Sequence, residues 1–443
     1  MVKGEISRIE KCGNIMIDKF TEYDKITLLP IYDQFKNEVE SSIKEIILNN
    51  EKAALILFDI DDFKHVNDSS GHEFGDELLK DISYKIRNSL DDDVLMCRYS
   101  GNTFILFQMN IQNKEEILNI ITKIFDVFKY PQKEIYLTIS MGIALVPEDG
   151  VDYTLLLKNA DIAMYEAKQN GKNKYRFFNN EFGDKIVKEY KLHKELRTSL
   201  EKQEIYVMFQ PKILLEDSTV RGFEALARWK NEKFGEISPG EFIPIAEESK
   251  MIVPIGNFVL EEVFRKIKYL IAQGDDDFKV AVNLSEVQFQ EDIVVSVLKK
   301  LIQKYQIPTR YIELEITESM FMKSFEKNLR ILEEIKSMGI TIALDDFGTG
   351  YSSLSYLTKL PIDVLKIDRS FIIDLCNNPK QKCIVESIIK LSHQLGIEVV
   401  AEGVEEKEQV DYLKAISCDF IQGYYFSKPR LFNEIVNFVG RTI

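Results

Sequence analysis

In the first part of the chain, continuous apolar runs alternate with stretches in which apolar residues recur at helical spacing. Continuous apolar runs at 53–60 (AALILFDI) and 135–145, and two runs flanking a Ser-Gly-Asn turn at 94–107, predict strands. Apolar residues at helical spacing predict helices over 31–49, 74–89, 114–128 and 154–169. Strands that pair through a tight hairpin, with helices between them, predict an α+β domain whose sheet is covered by helices.

The pattern of apolar residues changes at residue 203, after which short apolar runs alternate regularly with helical stretches. About eight such runs occupy the remaining part of the chain, which is what a TIM-type α/β barrel requires. Only a short polar segment joins the first two runs, so they are predicted to form an antiparallel hairpin. The expected fold is therefore a modified TIM barrel with an antiparallel first strand. Helical stretches separate most of the strands, for instance at 256–272, 291–305, 324–337 and 379–395.

A charged stretch lies between these two parts and carries apolar residues at helical spacing, which predicts an amphipathic connecting helix. The expected organisation follows directly. It comprises an N-terminal segment (1–21), an α+β domain (22–178), the connecting helix (179–202) and the barrel (203–443).

Composition restricts the classes of function. The 443 residues are 45% hydrophobic and 29% charged, and no apolar run approaches the roughly 20 residues that span a bilayer. The five cysteines form no CxxC pair, and the N-terminus lacks a secretion signal, so we expect a cytoplasmic protein that does not insert into membranes. A net charge of −15 disfavours DNA binding and leaves a small nucleotide, held by local cations or metal ions, as the expected ligand.

Hydrophilic residues terminate the apolar runs of the barrel, where the functional residues of such barrels lie. Their carboxylate and amide oxygens suit hard divalent cations, and two such ions about 3.5–4 Å apart can clamp a phosphodiester and activate water. A lysine among them would add compact positive charge. The positions are Glu224, Asn283, Glu315, Asp345, Asp346, Lys366, Asp368, Glu402 and Gln422.

Several separated stretches of this half, in order, make it resemble the EAL domain, a family of cyclic di-GMP phosphodiesterases. They are FQPK, FEALARW, SPGEFIPIAEE, VNLS, LEITES, LDDFGTGYSSL, LKID, AEGVE and IQGYYFSKP, and the likeness covers about 195–437. The resemblance implies hydrolysis of cyclic di-GMP to linear pGpG with two Mg²⁺ or Mn²⁺ ions, and a homodimer. Oxygen ligands alone leave the choice of metal open.

The resemblance also implies residue roles. The ligands of the first ion would be Glu224, Asn283, Glu315 and Asp345. Those of the second ion and its water would be Asp345, Asp346 and Glu402. Lys366 and Gln422 would contact the phosphate and water, and Gln210 and Arg228 the nucleotide. Glu318 would brace the DDFGTG loop, and Asp368 and Glu405 match nearby positions on the substrate side.

The first half resembles a GGDEF (diguanylate cyclase) domain over about 22–178, through FDIDDFKHVNDSSGHEFGDELL, RYSGNTF and ADIAMYEAKQNGKNK. The resemblance implies the ferredoxin-like, palm-type nucleotidyl cyclase fold. Its signature is degenerate, because both acidic positions are lost, and we therefore predict no diguanylate cyclase activity. The residues at the signature are Ser100, Gly101, Asn102, Thr103 and Phe104.

Other positions of the cyclase pocket match the family. Asp59 retains an acidic group, Asn67 and Asp76 match guanine-reading positions, and Lys168 and Lys172 match phosphate contacts. We therefore hypothesise that this domain binds GTP as an allosteric ligand and regulates the phosphodiesterase. The alternatives are a GGDEF domain that serves only as a dimerisation scaffold, a binding-only receptor of cyclic di-GMP, a bifunctional synthase–hydrolase, and a barrel lyase using Lys366 as a Schiff base.

Overall fold

The structure is a computed structural model that describes residues 23–290, 293–321, 325–348 and 357–442. The chain divides into two compact units, Met1–Lys188 and Glu189–Ile443. The predicted N-terminal segment 1–21 lies outside the described residues. The domain limits predicted from the sequence remain predictions.

The first unit has an α+β architecture. In chain order its elements are α1 (Tyr32–Leu48), β1 (Ala53–Ile60), α2 (Phe63–Ser70), α3 (His72–Ser89), β2 (Val94–Ser100), β3 (Thr103–Gln108), α4 (Lys114–Phe128), β4 (Ile139–Val146), α5 (Tyr153–Gln169) and β5 (Lys174–Phe177). Helix α6 (Asn180–Leu196) follows and contains the boundary between the units. It lies where the connecting helix was predicted and ends six residues earlier.

The sheet of the first unit is ordered β2-β3-β1-β4-β5. Strand β1 pairs antiparallel with both β3 and β4, so the α+β, ferredoxin-like prediction is confirmed. All of β1 is buried, and its alternate residues enter two different cores. Ile56 and Phe58 face α3 and α4, whereas Leu55 and Leu57 face α1 and α5, because successive strand residues point to opposite faces.

Two elements of the first unit differ from the predicted pattern. Helix α2 occupies a stretch that the sequence presents as an acidic loop, since Phe63 and Val66, one helical turn apart, are both buried. Strand β4 begins at Ile139 rather than at 135, because the residues before it form an isolated bridge between Gln132 and Ile135.

The second unit alternates strands and helices. Its elements are β6 (Ile205–Leu214), β7 (Thr219–Asn231), β8 (Gly235–Ile237), α7 (Pro239–Glu248), α8 (Ile252–Gln273), β9 (Lys279–Asn283), α9 (Glu286–Gln290), α10 (Ile293–Tyr305), β10 (Ile312–Thr317), α11 (Phe325–Ser337), β11 (Thr341–Phe347), β12 (Val364–Ile367), α12 (Arg369–Ile372), α13 (Pro379–Gln394), β13 (Glu398–Ala401), α14 (Lys407–Ala415), β14 (Phe420–Ile421) and α15 (Phe432–Ile435).

These strands close into a barrel in the order β6-β14-β13-β12-β11-β10-β9-β7, and β7 pairs back with β6. Strand β6 is antiparallel to both of its neighbours, whereas β7 and β9–β14 run parallel to one another. The predicted antiparallel first strand is therefore confirmed. Strand β8 adds to β7 as a hairpin outside the ring.

Small and apolar side chains fill the interior of the barrel below its mouth. Ala343, Val364 and Val400 form a buried cluster against Phe420, on the strand faces opposite to those that contact the outer helices. Lys212 and Glu313 form a fully buried ion pair in the same interior. The layer of side chains immediately above, toward the carboxyl ends of the parallel strands, is polar. No helix among the described residues is both long and apolar enough to cross a membrane.

Candidate active site at the barrel mouth

Seven neighbouring strands bring the predicted hydrophilic residues to one layer of the barrel. Each side chain lies in, or directly after, the carboxyl-terminal part of a strand, with one exception. The residues are Asn283 of β9, Glu315 of β10, Asp345 of β11, Lys366 of β12, Glu402 after β13 and Gln422 after β14, with Glu224 of β7 beside them. The exception is Glu224, which was predicted at a strand end and lies inside β7 because that strand continues outward to pair with β8.

The Lys366 ammonium lies at the centre of this layer. Its Nζ is 2.7 Å from Glu402 Oε1, 2.8 Å from Glu315 Oε2, 3.1 Å from Asp345 Oδ2 and 3.6 Å from Glu224 Oε2. The lysine is only 1% exposed, so these contacts form in a water-poor interior. One buried cation therefore stands among four carboxylates and leaves an excess of negative charge in the layer.

Burial and this excess of negative charge shift the pKa values of the carboxylates in the layer. Burial, together with the Glu224 carboxylate, raises the pKa of Glu315 well above its usual range. Burial raises the pKa of Glu402 to about 8, against the lowering effect of Lys366. The pKa of Glu224 is lowered despite burial, because Lys366 and two amide donors favour its charged form.

Those two donors are the side-chain amides of Asn283 and Gln422. Asn283 Nδ2 donates to Glu224 Oε1 at 2.7 Å, and Gln422 Nε2 donates to Glu224 Oε2 at 2.6 Å. Gln422 Nε2 is also 3.2 Å from Gln210 Oε1, and Gln210 in turn donates to the Ser427 carbonyl at 3.1 Å. A chain of amides thus fixes one carboxylate and connects it to β6.

Glu315 differs from Glu224 in its partners. It is completely buried, yet neither of its carboxylate oxygens has an aligned hydrogen-bond donor among the described residues. The Lys366 ammonium is near Oε2 but off the direction of a hydrogen bond, so the contact is mainly one of charge. A buried carboxylate with a free oxygen is an available ligand for a hard cation.

A second set of oxygens converges next to Lys366. Ligand oxygens of Asp345, Asp346 and Glu402 all lie within 4.8 Å of one another, as required to hold a metal ion. Neighbouring residues of a regular strand point to opposite faces. Here the ladder of β11 with β12 shifts between Leu344 and Phe347, and Asp346 has φ +55°, so both aspartates reach the same site. The donor set is all oxygen, which fits Mg²⁺ or Mn²⁺.

Three other predicted residues lie around the rim. Asp368 caps α12 by accepting a hydrogen bond from the Ser370 amide at 2.9 Å. Glu405 Oε1 accepts a hydrogen bond from the Arg369 guanidinium at 2.8 Å. Glu318 begins the 3₁₀ turn after β10, but residues 349–356 of the loop that it was predicted to brace lie outside the described residues.

Two cavities open in this region. One of about 220 Å³ is lined by Gln210, Glu224, Lys366, Arg369, Glu402 and Glu405, among others. A second of about 310 Å³ has largely apolar walls and includes Arg228, Glu247, Asn283, Ser285 and Gln288. Asn283 donates to Glu224 from the wall of the second cavity, so the two cavities flank the same pair of side chains.

Sequence reasoning overlooked Arg369 in the first cavity. The signal was present, since this arginine directly follows Asp368, which was itself singled out. A charged residue at the start of a short helix carries too little information by itself to be assigned to a site, and only the cavity identifies it.

In the first unit, the residues predicted to form a degenerate signature lie at the β2–β3 hairpin. Thr103 Oγ1 donates to Asp59 Oδ2 at 2.8 Å, and Lys168 Nζ binds Asp59 Oδ1 at 2.7 Å. Both oxygens of Asp59 are thereby engaged by groups of the protein. Asn102 is turned away and donates to the Ile60 carbonyl at 2.6 Å. Phe104 stacks on Phe58 in the core, and Ser100 and Gly101 complete the turn.

The remaining predicted pocket residues of the first unit are distributed around this hairpin. Lys172 pairs with both oxygens of Asp62, at 2.7 and 2.8 Å. Asn67 on α2 packs so closely against Gly75 that a Cβ there would lie 2.1 Å from Asn67 Oδ1. Asp76 is exposed on α3, the helix that follows. Each lysine that was expected to meet phosphate is therefore bound to a carboxylate.

Comparison with known families identifies two domain types. The EAL domain model matches residues 193–429, and the model of the diguanylate cyclase GGDEF domain matches residues 21–174. The chain is 35% identical over 413 residues to the bifunctional diguanylate cyclase/cyclic di-GMP phosphodiesterase MucR of Pseudomonas aeruginosa, covering 92% of this chain and 60% of that protein.

A further curated protein and a solved structure are similar to this chain. The cyclic di-GMP phosphodiesterase PdeR of Escherichia coli is 35% identical over 409 residues, covering 92% of this chain and 61% of PdeR. The chain thus spans about three-fifths of the length of these two curated relatives. A solved structure of the PaMucR phosphodiesterase in complex with c-di-GMP is 38% identical, with a TM-score of 0.54, and covers 55% of this chain and 99% of its own.

Proposed function

The chain belongs to the EAL domain family and carries a GGDEF domain ahead of its EAL domain, and on that premise we propose that it hydrolyses cyclic di-GMP to linear pGpG. The observation that carries this proposal is the convergence of Asp345, Asp346 and Glu402, because Asp345 and Glu402 also belong to the four carboxylates around Lys366. A binding module has no evident need for so much buried negative charge, whereas a metal-assisted phosphodiesterase does.

Two ion sites follow from the donor groups. Glu224, Asn283, Glu315 and Asp345 would hold the first ion, and Asp345, Asp346 and Glu402 the second. Glu315 supports the first assignment, because its carboxylate accepts no hydrogen bond among the described residues and its Oε1 could bind an ion. Bound Mg²⁺ or Mn²⁺ would supply positive charge beside the phosphodiester and lower the pKa of a water.

The protein groups then perform the proton transfer and stabilise charge. Glu402, which would also hold the second ion and its water, would accept a proton from the attacking water. The water oxygen bonds to phosphorus, the bond to the 3′ oxygen breaks, and that oxygen takes a proton to leave a 5′-phosphate. Lys366 would stabilise the charge that develops on the phosphoryl oxygens, and Gln422 would orient the water.

The two cavities suit a dinucleotide. The apolar walls of the 310 Å³ cavity, with Arg228 and Glu247 among its polar groups, fit the faces and the hydrogen-bonding edge of a guanine. Gln210 would contact the nucleotide in the other cavity, which Glu405 also lines, and Asp368 directly precedes the lining residue Arg369. The names of the relatives, two of which are cyclic di-GMP phosphodiesterases, and the c-di-GMP bound in the similar solved structure support this choice of substrate.

The direct test is chromatography of the products formed from cyclic di-GMP with Mg²⁺ or Mn²⁺. We expect pGpG from the wild-type chain, none after chelation of metal, and none from Glu224→Ala. Glu333→Ala, which removes an exposed carboxylate from the barrel helix α11, is the matched control and should retain full activity. Unchanged cyclic di-GMP would favour the alternative of a binding-only receptor, provided that calorimetry still detects binding.

For the first unit we propose GTP binding without cyclisation, with the bound state altering the rate of the phosphodiesterase. Asn67 and Asp76 would read guanine, and Lys168 and Lys172 would exchange their carboxylate partners Asp59 and Asp62 for phosphate. The ligand can change the rate only through its different affinity for two states of the protein, typically about 1–3 kcal/mol.

Titration of GTP during cyclic di-GMP turnover tests this regulatory role. A change in rate that is abolished by Lys168→Met would support it. An unchanged rate, with no heat of GTP binding, would favour the alternative in which the GGDEF domain is only a scaffold of a homodimer. Light scattering of the isolated unit and of the full chain would then measure whether each is a dimer. Incubation with GTP and Mg²⁺ should give no cyclic di-GMP, because Asn102 and Thr103 replace the acidic pair.

A further inference from the structure

The 220 Å³ cavity at the barrel mouth is lined by more acidic than basic side chains, and this balance disfavours an anionic substrate. Among its described lining residues, Glu224, Asp345, Glu402 and Glu405 are acidic, whereas Lys366 and Arg369 are basic. Lys366 is 1% exposed and surrounded by carboxylates, so among the described lining residues it is Arg369 that presents positive charge to solvent. Cyclic di-GMP carries two phosphodiesters, and the metal site acts on one of them at a time.

We propose that Arg369 binds the second phosphodiester of the dinucleotide, the one that is not being cleaved, and thereby favours substrates with two phosphates. This inference rests on the proposed phosphodiesterase function and names a substrate-binding residue for it. A guanidinium is suited to the task because its planar fork forms paired hydrogen bonds to phosphate oxygens.

The surroundings of Arg369 hold its aliphatic carbons in place, whereas its guanidinium remains free to change its ionic partner. Its Cγ lies so close to Gly403, the residue after Glu402, that a Cβ on that glycine would be 2.2 Å away. Asp368 fixes the preceding turn through the Ser370 amide. Within the described ranges, the ionic partner of the guanidinium is Glu405 at 2.8 Å, and both side chains are about half exposed, at 53% and 41%.

A half-exposed ion pair contributes little free energy, because water solvates both partners and salt screens them. Exchange of Glu405 for a phosphate therefore meets little resistance. The stem stays packed on the backbone next to Glu402, so the distance between the bound phosphate and the reacting one is set by the protein. Arg369 would then act on substrate affinity and placement rather than on the chemical step.

The experiment compares Arg369→Gln and Arg369→Lys with the wild-type full chain on two substrates. Cyclic di-GMP carries two phosphates, and bis(p-nitrophenyl) phosphate carries one. For Arg369→Gln we expect KM for cyclic di-GMP to rise about ten-fold with kcat within about two-fold, and no change with the one-phosphate substrate. Arg369→Lys, which keeps the charge, should raise KM less, and the salt dependence of KM should weaken in Arg369→Gln.

Lys390→Gln on α13 provides a matched control, since it removes an exposed cation whose carboxylate partner is 3.8 Å away, outside the cavity. An unchanged KM for cyclic di-GMP in Arg369→Gln would overturn the proposal. An equal loss on both substrates would overturn it too, since the effect would then lie in the metal site. If the wild-type chain bound cyclic di-GMP without cutting it, the phosphodiesterase function would fail alone. Binding to Glu402→Gln, with and without Arg369→Gln, would still decide the role of Arg369.

Discussion

Lys366 Nζ of β12 lies 2.7 Å from Oε1 of Glu402, the residue that directly follows the adjacent parallel strand β13. The contact joins the only enclosed cation of the described mouth layer to the carboxylate that we propose as the proton acceptor. Three other carboxylates approach the same ammonium within 3.6 Å. Removal of this lysine therefore affects both catalysis and the cohesion of the site.

For Lys366→Met we predict that kcat for cyclic di-GMP falls by about 10²–10³-fold, because charge on the phosphoryl oxygens loses a preorganised cation. The thermal midpoint of the metal-free protein should also fall, since four buried carboxylates lose their shared partner. Steady-state kinetics and calorimetric melting measure the two effects, with Lys390→Met as the control. A rate close to that of the wild type would show that Lys366 is structural.

The raised pKa of Glu402 predicts how stability depends on pH in the absence of metal. Its carboxyl group binds a proton more tightly in the folded state (pKa about 8) than at its ordinary value of 4.5. The folded state therefore holds more protons between these two values, and stability falls as the pH rises through this window. Melting in EDTA from pH 5 to pH 8 should show the decline, and Glu402→Gln should flatten it. A midpoint that rose with pH would contradict the assignment.

Two glycines provide a matched test of the Arg369 contact. Gly403 and Gly396 both have positive φ, +68° and +74°. A Cβ added at Gly403 would clash with Arg369, whereas a Cβ added at Gly396 would have no atom within 4 Å. Alanine at either position should lower stability by about 1–2 kcal/mol through backbone strain. Only Gly403→Ala should also raise KM for cyclic di-GMP. Equal kinetics for the two variants would separate Gly403 from substrate binding.

The Asp59–Thr103 pair predicts the result of restoring an acidic residue to the first unit. These residues are directly opposite on β1 and β3, so Thr103→Glu places two carboxylates face to face. We expect destabilisation of about 0.2–1 kcal/mol in EDTA and a larger stabilising effect of Mg²⁺ than in the wild type. Thr122→Glu on the exposed side of α4 is the control. The same response to Mg²⁺ in both variants would argue against a restored ion site.

The buried Lys212–Glu313 pair predicts a strong non-additivity. Lys212→Met should cost roughly 3–5 kcal/mol, because it leaves the Glu313 carboxylate uncompensated inside the barrel. Lys212→Met combined with Glu313→Leu should recover most of that loss, because two apolar side chains replace the pair. Denaturant unfolding of the wild type, of Lys212→Met, of Glu313→Leu and of the double variant measures this cycle. Additive losses would mean that the two residues do not interact.

Much of the fold could be predicted from apolar rhythm because most strands are buried on one or both faces. The predicted and observed limits of β1 coincide at 53–60, where eight successive residues are buried. Helix α2 was not predicted because its first turn is surrounded by acidic and small polar residues, which are also common in loops. Helix α7 escaped because Pro244 lies inside it, and proline usually excludes helical structure.

The membership of the site was easier to predict than its geometry. Alternation along strands indicates that Glu315 and Asp345 face the interior, but it does not indicate which of four carboxylates a lysine will approach. The positions of Asp345 and Asp346 depend on a register shift that has no distinct sequence signal. The Lys212–Glu313 pair joins residues 101 positions apart, and neither stands out from the strand that contains it.

The antiparallel strand β6 closes the barrel by pairing with β14 as well as with β7. The hydrogen bond from Gln422 to Gln210 at this seam joins positions 212 residues apart. Ring closure must therefore wait until nearly the whole unit has emerged from the ribosome, and earlier intermediates would expose strand edges. The rate of synthesis and the access of chaperones at that stage should therefore influence how much of the protein reaches its closed form.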